Sequence, residues 1–126
     1  AALETVPFGR LRREKFIMQQ PPTFQYQSVF DCCTQHGFTP DIVLSTSQLK
    51  TIKQLVANGT GIAILPKFVT HGEKIFARRD TDPSIDLHIS LYWGSHKTFS
   101  AIDNRFMDFM HHYTSTPDFK KHFFQK

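Results

Sequence analysis

The stretch Gly37-Phe38-Thr39-Pro40-Asp41-Ile42-Val43-Leu44-Ser45-Thr46-Ser47, followed by a helical run and then Gly59-Thr60-Gly61-Ile62-Ala63-Ile64-Leu65-Pro66, reads as strand, capped helix, strand. Residues 41–44 and 62–65 are short, apolar and rich in β-branched side chains, as in strands buried on both faces. Between them Leu49, Ile52, Leu55 and Val56 recur at helical spacing, while Lys50, Lys53 and Gln54 fall on the opposite side. Asn58-Gly59 supplies a helix C-terminus. The whole is the sequence form of a βαβ unit with a right-handed crossover, and such units gather small ligands at the carboxyl ends of their strands. Here that point is Ser45-Thr46-Ser47, of which Thr46 or Ser47 is expected to cap the helix.

Working outward, Phe16-Ile17-Met18 is a further short buried strand, broken by Gln19-Gln20-Pro21-Pro22 because proline cannot continue a ladder. Thr23 is the expected N-cap of a helix reaching to about Gln35, with Tyr26, Val29, Phe30 and Cys33 on its apolar stripe and Gly37 at its end. Residues 1–15 carry weak signals and read as an irregular entry. On the other side, residues 66–71 allow a single helical turn, 75–77 a brief strand, and 80–84 a turn-rich loop. Ile85, Leu87, Ile89, Leu91 and Trp93 alternate with Asp86, His88, Ser90 and Tyr92, which predicts a strand with one covered face. Ser100 with Asp103 forms a capping box for a helix striped by Ile102, Phe106, Phe109, Met110 and Tyr113. Residues 114–126 read as a tail with at most a helical turn.

Composition narrows the function classes. The 126 residues are 40% hydrophobic and 21% charged, within the range of folded domains and away from disordered or fibrous chains. The longest apolar run, 62–65, is far too short to cross a bilayer, and no signal-peptide pattern opens the chain. The formal net charge of +4 is spread over small clusters, more a solvated basic surface than a nucleic-acid stripe. Cys32 and Cys33 are adjacent on a helix and cannot pair with each other, so a reducing, cytoplasmic compartment is the expectation. None of the seven histidines has zinc-site spacing, no nucleophile elbow or paired carboxylates occur, and Gly59-Thr60-Gly61 lacks the rest of any phosphate-loop or dinucleotide fingerprint. No catalytic residue, metal site or cofactor is therefore assigned. The chemistry that remains is at the strand ends. Helix amino termini present unpaired N–H groups and partial positive charge, and the hydroxyls near them exceed what capping needs, which favours binding of an anion.

The order of these pieces, and the block Val56-Ala57-Asn58-Gly59-Thr60-Gly61-Ile62-Ala63-Ile64-Leu65-Pro66 in particular, resembles the effector-binding domain of LysR-type transcriptional regulators over roughly residues 6–113. The resemblance implies an α/β, periplasmic-binding-protein-like (type 2) lobe built of βαβ units, with an incomplete second lobe. Residues 16–113 would be the effector-binding fragment and 114–126 a tail. It further implies a small-molecule effector, anionic by the chemistry above, held in an interlobe cleft by Gln19, Gln20, Thr23, Ser45, Thr46 and Ser47. A homodimer or tetramer is implied, with DNA engaged only through an amino-terminal winged helix-turn-helix that these residues do not include. The alternative reading is a transporter's solute-binding protein of the same fold. A two-lobed enzyme finds no support in the residues.

Overall fold

The computed structural model describes residues 5–74, 80–87 and 90–124. The chain divides into two compact units, one of Ala1–Leu65 with Gly72–Asp86, the other of Pro66–His71 with Leu87–Lys126.

The first unit is organised around one strand. After β1 (Thr5–Pro7) and a 3-10 turn (Phe8–Arg13), β2 (Lys15–Met18) runs parallel to β3 (Asp41–Ser45), with Lys15 opposite Asp41 and Met18 opposite Ser45. On the other edge of β2, Ile62 forms a parallel bridge with Phe16. Having a neighbour on both edges, β2 buries Phe16, Ile17 and Met18. The third strand expected over 62–65 is reduced to that single bridge, and these residues are half-buried. The expectation of full burial also fails for β3, where Val43 and Leu44 remain 42% and 40% exposed. Among the described residues β3 pairs only with β2, and Val43 and Leu44 are each left partly uncovered at this margin of the sheet.

Helix α1 (Phe24–Gln35) connects β2 to β3 and begins as expected at Thr23, whose side chain accepts the Tyr26 N–H. At its other end the Gly37 N–H donates to Thr34 and the Phe38 N–H to Cys33, the paired bonds of a Schellman closure, with Gly37 at φ +75°. Helix α2 (Leu49–Ala57) closes in the same way through Gly59 to Val56 and Thr60 to Leu55. Of its expected inward stripe, Ile52 is fully buried and Leu49, Leu55 and Val56 partly so.

Residues 5–13 are more ordered than an irregular entry. β1 pairs in parallel with β4 (Asp80–Asp82), which replaces the loop expected there with a short strand. Phe8 is fully buried and stacks on His36 at 5.6 Å, while Arg12 donates to the His36 carbonyl and lies over the Phe38 ring. The 3-10 turn is thereby fastened to the carboxyl end of α1. Its Phe8 joins Phe16, Met18, Val29, Cys32 and Cys33 in the core, bordered by Ile42, Ile62, Ile64 and Ile85 among others.

In the second unit, a 3-10 turn (Lys67–Val69) fulfils the expected single turn. Helix α3 (Ala101–Thr114) starts at the Ser100–Asp103 capping box. A two-turn helix, α4 (Pro117–Phe124), occupies what reads as tail, and the Tyr113 and Phe119 rings meet edge to face at 5.5 Å. The alternating strand expected over 85–93 is not formed among the described residues: 84–87 and 90–93 lie outside any ladder, and Leu87, Leu91 and Trp93 are exposed. Alternation defines two faces but not a neighbour, and a strand needs the neighbour to satisfy its backbone. His88, Ile89 and the strand expected at 75–77 fall outside the described residues.

Candidate functional site

The parallel register of β2 and β3 brings the two turns singled out in the sequence side by side. Met18 sits opposite Ser45, and the Thr46 N–H donates to the Met18 carbonyl at 3.1 Å, so the strands end together. Gln19 and Gln20 leave β2 at this edge, Gln19 half-buried and Gln20 exposed. The Gln20 carbonyl accepts the Thr23 N–H at 3.3 Å, which folds the Pro21-Pro22 segment back into the start of α1. Ser45, Thr46 and Ser47 leave β3 beside them.

The six residues do not have equal chemical capacity. Thr23 is occupied as the cap of α1. The Thr46 hydroxyl accepts the Gln48 N–H at 3.1 Å, a local turn that precedes α2 without capping it. This corrects the expectation that Thr46 or Ser47 caps that helix: its N-cap is Gln48, which makes no side-chain cap bond. The cause is the ladder, which still holds the Thr46 N–H and delays the first helical residue to Leu49. Among the described residues the Ser45 and Ser47 hydroxyls have no protein partner. Two hydroxyls and the uncapped first turn of α2 thus stand at the end of β3 as hydrogen-bond donors beside a positive helix end, a set suited to carboxylate, sulfate or phosphate. Among the described residues no group of three or more His, Cys, Asp or Glu could hold a metal ion.

Sequence reading passes over Gln25. It lies in the first turn of α1, and its Nε2 donates to the Ile64 carbonyl on the far edge of β2. A glutamine off the apolar stripe of a helix carries no local sign of such a reach.

Residues 1–115 match the family model of the LysR substrate binding domain. The chain belongs to that family. It is 31% identical over 104 residues to YcgK, an uncharacterized HTH-type transcriptional regulator of Bacillus subtilis (strain 168), covering 81% of this chain and 29% of that protein. The regulatory domain of CcmR from Synechocystis PCC6803, solved in complex with 2-PG, matches at a TM-score of 0.70 and 23% identity, over 90% of this chain and 56% of the other. The LysR substrate-binding fold is therefore shared, and the chain spans less than a third of YcgK and little more than half of the CcmR domain.

Proposed function

We propose that this chain is part of the ligand-sensing domain of a LysR-type transcriptional regulator and that the paired ends of β2 and β3 bind a small anionic effector. The observation that carries the reading is the placing of the unpartnered Ser45 and Ser47 hydroxyls at the uncapped amino end of α2, beside Gln19 and Gln20, in a chain of this family. Support for an anion comes from the CcmR regulatory domain, which was solved in complex with the anionic ligand 2-PG. The role is binding and not catalysis. In the complete regulator the effector acts by favouring one arrangement of a dimer or tetramer on DNA, which requires only that it bind the two arrangements unequally. DNA itself is met by a separate helix-turn-helix, the compartment is the cytoplasm, and among the described residues no helix is long and apolar enough to cross a membrane.

Titration of the chain with 2-phosphoglycolate, inorganic phosphate and sulfate tests this. Each hydrogen bond to a charged ligand is worth about 1.5 to 3 kcal/mol, so Ser45→Ala with Ser47→Ala is expected to weaken binding by about tenfold or more. In the intact regulator the same pair of changes abolishes the effector response and leaves DNA binding in place. Equal affinity of wild type and double variant for all three anions would overturn the assignment.

A further inference from the structure

The two edges of β2 end differently. Towards residues 62–65 the parallel ladder has two rungs: the Ile62 N–H donates to the Lys15 carbonyl and the Ile17 N–H to the Ile62 carbonyl, both at 2.8 Å. Regular continuation would next bring the Ile64 N–H to the Ile17 carbonyl, a bond that is not formed, and then the Gln19 N–H to the Ile64 carbonyl, since successive rungs of a parallel pair advance by two residues on each strand. That acceptor is instead taken by the Gln25 side chain, which arrives from the first turn of α1. On the β3 edge the backbone bond at Met18 is retained. The ladder on this side thus ends at Ile62, and the Ile64 carbonyl beyond it is held by a side chain in place of a main-chain donor, level with the residue where the candidate effector turn begins.

We propose that Gln25 is a positioning residue of the effector site, its amide replacing the Gln19 N–H on the Ile64 carbonyl so that β2 ends at Met18 and Gln19 and Gln20 leave the sheet beside Ser45 and Ser47. The inference rests on the anion-binding reading above. It adds that the shape of the 19–23 turn is set from outside the turn. Without the Gln25 donor, Ile64 offers a half-buried acceptor that loses its partner, and Gln19 carries the backbone N–H that regular register would bring to it. The strand then lengthens and draws the turn into the sheet.

The test compares wild type with Gln25→Met, which keeps the length and loses the donor, Gln25→Glu, which sets an acceptor against an acceptor, and Gln25→Lys, which restores a donor. Amide hydrogen exchange at Gln19, followed by NMR on the whole chain, is expected to slow by about tenfold or more in Gln25→Met and to stay fast in wild type and Gln25→Lys. The affinity for 2-phosphoglycolate is expected to fall by about tenfold in the Met and Glu variants and to be retained in the Lys variant. Gln19 exchange unchanged in Gln25→Met, or Met and Glu variants that bind as wild type does, would overturn the proposal. If wild type itself does not bind 2-phosphoglycolate, the anion reading falls, and the exchange comparison still decides the role of Gln25. Should Gln25→Met fail to fold, the Glu and Lys variants carry the same comparison.

Discussion

Gly61 allows no side chain: a Cβ placed there would lie 2.4 Å from the Lys15 carbonyl oxygen, within the ladder bond that joins Ile62 to β2. Gly59, two residues earlier, has open space around it but a φ of +75°. The two glycines are thus required for unlike reasons, and substitution separates them. Gly61→Asn forces the backbones apart and is expected to cost about 2 kcal/mol or more, whereas Gly59→Asn, a residue that tolerates the left-handed region, is expected to cost well under that. Thermal midpoints of the two variants check the difference. Cys33 is the other residue with a strong environmental signature. Burial, with the neighbouring Cys32 adding to it and a backbone hydrogen bond opposing, pushes its thiol up to about 11. Because the native state holds the proton more tightly than the unfolded chain, this contribution to stability is intact below the ordinary value of 9.0 and is lost as pH rises towards 11. Midpoints measured across that window are expected to fall more steeply in wild type than in Cys33→Ala.

At the level of the element, the start of α3 is the most completely determined feature of the second unit. The Asp103 carboxylate accepts the Ser100 N–H at 2.9 Å and its hydroxyl at 3.0 Å, and pairs with Lys97 at 3.2 Å, all of which hold its pKa below the usual carboxylate value. A lowered value means that the stabilisation is present above 3.8 and is lost as pH falls through the native pKa. Ser100→Ala is expected to cost about 1 kcal/mol of helix stability, and Asp103→Asn to remove the acid-side loss of helicity seen by circular dichroism. This cap was legible because its signal is local, four residues long. The same holds for β2, the Thr23 cap and both glycine closures, whereas the adjacency of the turns at 19–23 and 45–47 depended on β2 and β3 being sheet neighbours. The β1–β4 pair was not legible, since Asp80-Thr81-Asp82 has turn-like composition and its partner is remote in sequence. Nor was the exposure of β3: an apolar run records that a strand can be covered on both faces, and Val43 and Leu44 show that the neighbours decide. Within the site, the hydroxyls were legible by type, but which were already spent on the backbone depended on where the ladder released Thr46.

For the molecule as a whole, apolar surface is distributed unevenly. The first unit has a closed core, whereas α3 of the second leaves Ile102, Phe106, Phe109 and Tyr113 exposed by 78%, 49%, 60% and 36%. Covering side chains of this size is worth about 1.5 to 3 kcal/mol each, comparable in sum with the stability of a small domain. The chain is accordingly expected to sediment as a dimer or larger species at micromolar concentration, and Phe106→Glu with Phe109→Glu to shift it to monomer. A wild-type monomer with α3 helical would refute this. The pairing of Thr5–Pro7 with Asp80–Asp82, and of Ile85 with the core that Phe8 begins, bears on biosynthesis. β1 is synthesised before β2 and β3 and finds its partner after they have found theirs. Everything between must be held without it, at a loop-closure cost that grows only slowly with length. Nascent chains arrested before Asp80 should therefore carry β2, α1 and β3 with β1 unpaired, and it is the arrival of the Asp80–Ile85 segment that commits the unit to its final form.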